Sequence, residues 1–153
     1  MNVIQPERKA SGVHVVLLSI LMAAFFCRVT AQLLQALWPL DALPAFESWH
    51  SATLPYPLLV ASQFVILAVQ VWLILSIARN AHRPRRFVGQ LLLIAALYFA
   101  LMLFRLVAGM TFLQHLPWFQ ARLPTIFNLV LATFLLVLAD FHLRCHTNEA
   151  GRP

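Results

Sequence analysis

Charge is scarce in this chain. Of its 153 residues only 10% are charged, and acids are scarcest of all, five against eleven lysines and arginines. A water-facing domain carries about 25% charged residues, so the deficit excludes an ordinary soluble surface. Glycine is also sparse, four residues against nine prolines, a balance that suits long helices joined by proline-punctuated loops. The two cysteines, Cys27 and Cys145, form no CxxC pair. One lies inside the first apolar run and the other follows the last, so two unpaired thiols are expected. No internal repeat, low-complexity segment or domain linker interrupts the chain.

What the chain has instead is hydrocarbon. Hydrophobic residues make up 61% of it and the mean hydropathy is +0.81, so its natural solvent is lipid. The formal charge of +6 raises nucleic acid as a partner. However, the basic residues cluster beside apolar runs, which fits membrane orientation and not groove binding.

The organising stretch is Phe87 to Phe112, a membrane-length apolar run without proline that carries Arg105 inside it. Such a run reads as a transmembrane helix. Three more read the same way, giving spans 13–38, 58–78, 87–112 and 124–143. The fold class is therefore all-α: one integral membrane four-helix bundle, up-down-up-down, in a single domain. Val29-Thr30-Ala31 resembles a cleavage site, but apolar character continues past it, so the first run is read as a retained span.

Orientation follows from the basic residues beside each span. The turn 79–86 carries Arg79, Arg83, Arg85 and Arg86, whereas the loop 39–57 has no lysine or arginine. By the positive-inside rule the turn is cytoplasmic, the loop is outside and both termini are cytoplasmic. Arg8, Lys9 and Arg144 agree, and Arg122 alone dissents. A bacterial cytoplasmic (inner) membrane is the expected location.

Polar residues then fall at matched depth. On the first span Arg28, Gln32 and Gln35 follow i, i+4, i+7 spacing and share a face. Tyr56, Gln63 and Gln70 recur every seventh residue on the second, Tyr98 and Arg105 do so on the third, and Thr125 and Asn128 share a face on the fourth. At 1.5 Å per residue, Arg28 lies about 15 Å and Arg105 about 11 Å from the outer ends of their helices. An ionisable side chain at that depth is expensive and marks an interface or a functional site. Two readings compete. The arginines snorkel to headgroups while the glutamines bind helices together, or Arg28, Gln32, Gln63, Tyr98, Arg105 and Asn128 line a polar pocket open to the outside.

The pocket reading has a definite chemistry. Neither arginine has an acid at its depth, because Asp140 is at the opposite end of the fourth span. Unpaired guanidiniums attract carboxylate or phosphate, so an amphiphile with an anionic or carbonyl head is the expected ligand. Glu47, Trp49 and His50 in the outer loop would form its lid, and Glu47 is the internal alternative as counter-charge if that loop folds back over the bundle mouth. Glu47 and His50 have acid–base potential, but no nucleophile motif or second carboxylate joins them, and no catalytic residue is assigned. His14, His142 and His146 lie near the cytoplasmic face, too shallow for haem within a bundle, and no metal site is assigned.

The first expectation is thus a small, non-enzymatic accessory or binding protein that holds a lipid or quinone. The alternative is a membrane subunit of a redox complex holding quinone or haem, and an enzyme acting on lipids ranks third. Expected partners are membrane lipids. Through the small-residue track Ala95, Ala96, Ala100, Ala108 and Gly109 they extend to other membrane subunits or a second copy of the chain.

Overall fold

A computed structural model describes residues 5–38, 40, 42–44, 49, 55–79 and 85–150, the side chains of 5–11, 85, 86, 117 and 146–150 excepted. All regular structure in these residues is helical: α1 (Gln5–Leu37), α2 (Tyr56–Ala78), α3 (Arg85–Met110), α4 (Pro117–Gln120) and α5 (Arg122–Ala150). Four of the helices are long and apolar enough to cross a membrane, over Gly12–Leu37, Tyr56–Ala78, Phe87–Met110 and Arg122–Cys145. Helix α1 starts before the apolar run and α5 continues beyond it, because hydropathy marks membrane thickness and not where backbone hydrogen bonding stops. Arg85 and Arg86, read from sequence as part of a turn, lie in the first turn of α3.

The helix ends follow the local chemistry. Pro57 sits in the first turn of α2, where its missing N–H costs nothing. Helix α3 stops where Gln114 folds back to donate from Nε2 to the carbonyls of Met110 (2.7 Å) and Thr111 (3.1 Å). These are among the carbonyls a helix end leaves without a partner.

Packing joins α3 to α5, α5 to α1, and α1 to α2, while α2 and α3 make no extensive contact among the described residues. The bundle is therefore a row of packed pairs, open on one side, and not a closed square. Along α1 and α5 the contacts run in opposite numerical order: His14 meets Asp140, and Arg28 lies over Phe127. The same holds for α1 and α2, where Leu18 shares a cluster with Ile74 and Ile77, while Gln32 bonds Gln63.

The apolar core, Leu18, Ile74, Ile77, Phe134, Leu138 and Phe141, fills the half of the bundle that contains the start of α1. On the other side of α5, about 200° around from Phe134 and Phe141, Ala132 and Ala139 are fully buried. Opposite them α3 buries a seventh-residue line of its own, Val88, Ala95, Met102 and Gly109. Small side chains on both lines let α3 and α5 approach closely, which in lipid takes the place of a hydrophobic driving force. The small-residue track is thus used within the chain at Ala95, Ala108 and Gly109, while Ala96 and Ala100 are exposed. Large apolar side chains such as Leu93, Leu97 and Phe104 face outward, as a lipid-facing surface requires.

Gly109 has a specific reason to be glycine. A Cβ there would collide with the backbone carbonyl of Phe119 in α4, whereas one at Gly89 would meet nothing. Gly109→Ala should therefore destabilise the detergent-solubilised protein by about 1–3 kcal/mol. Gly89→Ala should be neutral or stabilising by up to about 1 kcal/mol. Thermal unfolding followed by circular dichroism checks both, and equal shifts would refute the close approach of α4.

Candidate functional site

Both membrane-depth arginines point into the protein. Arg28 is 8% exposed and Arg105 is 4% exposed, so neither lies along the outside of the bundle. Each finds the same kind of partner. Arg28 donates from Nη2 to the carbonyl of Trp49 at 3.2 Å. Arg105 donates from Nε and Nη2 to the carbonyl of Trp118, at 3.0 and 2.6 Å. The two segments that pair proline with tryptophan are thus each tied by a backbone oxygen to an arginine of the long helix that precedes them.

The local structure explains why Trp118 is available. Pro117 opens α4, Leu116 is its extended N-cap, and the element ends after four residues. A helix one turn long leaves its carbonyls without intrahelical donors, and its C-terminal end carries partial negative charge that favours a cation. The guanidinium of Arg105 answers both and also lies 4.1 Å from the centroid of the Trp118 ring. Gln120 closes the loop by donating to the carbonyl of Gln114 at 2.8 Å. Hydrogen bonds to a charged group contribute about 1.5–3 kcal/mol and a partly desolvated cation–π contact about 1–2 kcal/mol. This pairing is therefore the main tie between α4 and the bundle.

The other tryptophan is held differently. Trp49 is buried, and its indole Nε1–H donates to the carbonyl of Pro44 at 2.9 Å. Gln35 accepts from the N–H of Leu40 at 3.0 Å, fastening the start of the same loop to α1. The Arg28 guanidinium packs between aromatic faces, 5.3 Å from the Phe127 centroid and 6.0 Å from that of Phe25.

Below Trp49 the site becomes polar and buried. Gln63 donates from Nε2 to Oε1 of Gln32 at 3.0 Å, joining α2 to α1. Gln32 is fully buried and Gln63 is 2% exposed. That bond uses one donor and one acceptor. Nε2 of Gln32, Oε1 of Gln63 and Nε of Arg28 are buried with no hydrogen-bond partner among the described residues. Turning both amides over would leave the pair with one nitrogen and one oxygen still unpaired. Buried polar groups are nearly always hydrogen-bonded, and each exception calls for a specific explanation.

The sequence-predicted residues fall into two groups. Arg28, Gln32, Gln63 and Trp49 come together between α1, α2 and the loop that joins them. Tyr98 and Arg105 lie on one face of α3, seven residues apart. Asn128 lies between helices α3 and α5, with Nδ2 3.6 Å from the sulfur of Met102. Glu47 and His50 lie outside the described residues. Sequence reasoning missed the acceptors, the carbonyls of Trp49 and Trp118, and also Phe127 beneath Arg28. The repeated proline–tryptophan pairing was the visible signal for the first.

At the other end of the bundle His14 contacts Oδ2 of Asp140 through Nε2 at 2.9 Å, and Arg144 donates to the same oxygen at 2.7 Å. The His14 ring stacks edge-on against Phe141. This cluster joins α1 to α5 and uses the acid that the membrane arginines lack. Among the described residues no three His, Cys, Asp or Glu side chains gather as a metal would require.

Comparison with protein-family models, with curated proteins and with solved structures returns no match.

Arg105→Gln should loosen α4 without disturbing the Gln32–Gln63 pairing. Loss of about 1.5–3 kcal/mol corresponds to amide exchange across Leu113–Ala121 that is about 10- to 100-fold faster. Hydrogen exchange read by mass spectrometry checks this, with peptides of α1 and α2 unchanged.

Proposed function

We propose that this chain is a non-enzymatic binding protein of the bacterial cytoplasmic membrane, holding an amphiphile with an anionic or carbonyl head in its outer half. The head would sit at Arg28, Gln32 and Gln63, beneath the loop that carries Trp49. Tyr98 and Arg105 would secure the second outer loop, and Asn128 the α3–α5 seam behind it.

One observation carries the reading. A buried guanidinium, with no carboxylate partner among the described residues, adjoins unpaired amide groups. An isolated buried charge is costly unless paired and hydrogen-bonded. The carbonyl of Trp49 supplies a dipole but no counter-charge. A carboxylate, a phosphate or a polarised carbonyl would accept from Nε of Arg28 and Nε2 of Gln32. A hydroxyl or protonated acid on the same head would donate to Oε1 of Gln63. This donor set is complementary to an oxygen-rich head, and it contains no nucleophile.

Orientation is part of the proposal. The numerically opposed contacts of α1 with α5 and of α1 with α2 support an up-down order, and the positive-inside rule then puts both termini in the cytoplasm. Single cysteines introduced in a Cys27→Ser, Cys145→Ser background should react with a membrane-impermeant maleimide when placed within 51–54. They should be protected in intact cells within 80–84. The reverse pattern would invert the assignment.

Ligand retention is the direct test. Protein purified in mild detergent should carry an acidic or carbonyl-bearing amphiphile, identifiable by mass spectrometry of an organic extract. Arg28→Gln should lower its occupancy by about 10- to 100-fold in affinity, as loss of a charge-assisted hydrogen bond implies. Arg144→Gln, at the other end of the bundle, should leave it unchanged. Equal retention by wild type and Arg28→Gln would refute the site.

A further inference from the structure

The gap between α2 and α5 is a groove. Its volume is about 230 Å³, and its walls are Val65, Val69 and Leu73 of α2 with Leu131, Phe134 and Leu135 of α5. It exists because α2 is braced by α1 and makes no extensive contact with α3, so part of its surface is left facing open space.

Both walls lead to the polar site. Gln63 and Gln70 are one heptad apart on the same face of α2, about 10 Å along the axis, and Gln70 lines the groove. On α5, Leu131 is four residues beyond Phe127, about 6 Å, and the Phe127 ring lies under the Arg28 guanidinium. The groove therefore begins one to two turns below the unpaired donors and descends toward the apolar core, where Phe134 belongs to both. Gln70 is 1% exposed, and among the described residues neither its Nε2 nor its Oε1 has a partner.

We propose that this groove receives the hydrocarbon tail of the amphiphile whose head is held at Arg28 and Gln32. The inference rests on the binding reading above and adds to it the class of ligand. The occupant is a single-chain amphiphile lying along the bundle, carboxylate or carbonyl outward and chain inward. Its apolar walls exclude a second polar group along most of that length. The lateral opening between α2 and α5 lets a chain enter from the bilayer without passing through the outer loops.

Two photoactivatable probes test it on the full-length protein in nanodiscs: a long-chain fatty acid and the matched methyl ketone, each with a diazirine. One set carries the diazirine near the head, the other near the methyl end. Adducts are located by peptide mass spectrometry, with excess non-photoactive compound as competitor. The expected result is competable labelling by at least one head type, near 62–66 for the head-proximal diazirine and shifted to 69–73 and 131–135 for the distal one. Whichever head labels identifies the ligand as anionic or neutral. Leu131→Trp, which fills the groove, should reduce distal labelling at least fivefold, and the wild-type map stands even if that variant does not fold.

Competable labelling that stays near 62–66 for both diazirine positions, or whose distal adducts fall on outward residues such as Leu93 and Leu97, overturns the groove and leaves the head site standing. Absence of competable labelling by either probe overturns the head site as well.

Discussion

A guanidinium inside a lipid-facing bundle has to be answered by something, and here the answer is a peptide carbonyl. Arg28 and Arg105 each reach the backbone oxygen of a tryptophan in the segment that follows their own helix. The usual escape for an arginine at this depth is to extend along the helix to the headgroups. In this chain the geometry is reversed, since the loops descend to the arginines. A carbonyl satisfies direction but leaves the charge, so each contact fastens a loop while keeping a local positive field. At Arg105 that field is spread over the Trp118 ring. At Arg28 it is shared with Phe25 and Phe127 and with an amide pair that keeps one donor and one acceptor.

The rest of the architecture serves these two contacts. Gly109 is small so that α4 can lie against α3 with the Trp118 carbonyl in reach. The small residues on the α3 and α5 seam hold those helices together. Gln35 and Trp49 shape the first loop so that its backbone oxygen faces Arg28. The half of the bundle with the aliphatic and aromatic core carries no comparable demand among the described residues, and Asp140 there is already engaged by His14 and Arg144.

Much of this was legible in the residues, and the limits have physical causes. The four spans follow from hydropathy. The face of Arg28, Gln32 and Gln35 follows from helical spacing, and all three are buried. The heptad through Gln63 and Gln70 likewise marks the inward side of α2. The partners were not legible, because every residue has a carbonyl and residue type does not say which one will be left over. Asp140 was readable as remote from the arginines, but its pairing with His14 depends on which helices become neighbours. The groove is harder still, since it arises where α2 and α3 fail to meet, and no residue pattern records a missing contact.

The packing order has a consequence for biosynthesis. The α1–α2 and α3–α5 hairpins can each close as they emerge, but the seam between them needs α5. His14 and Asp140 are 126 positions apart, and Phe127 is provided to Arg28 only by the last span. A nascent chain halted before that span would hold Arg28 with Phe25 alone and without the Phe127 side of its aromatic shelf. Quality control that senses an unsheltered membrane charge would therefore see this protein as unfinished until its final helix is released.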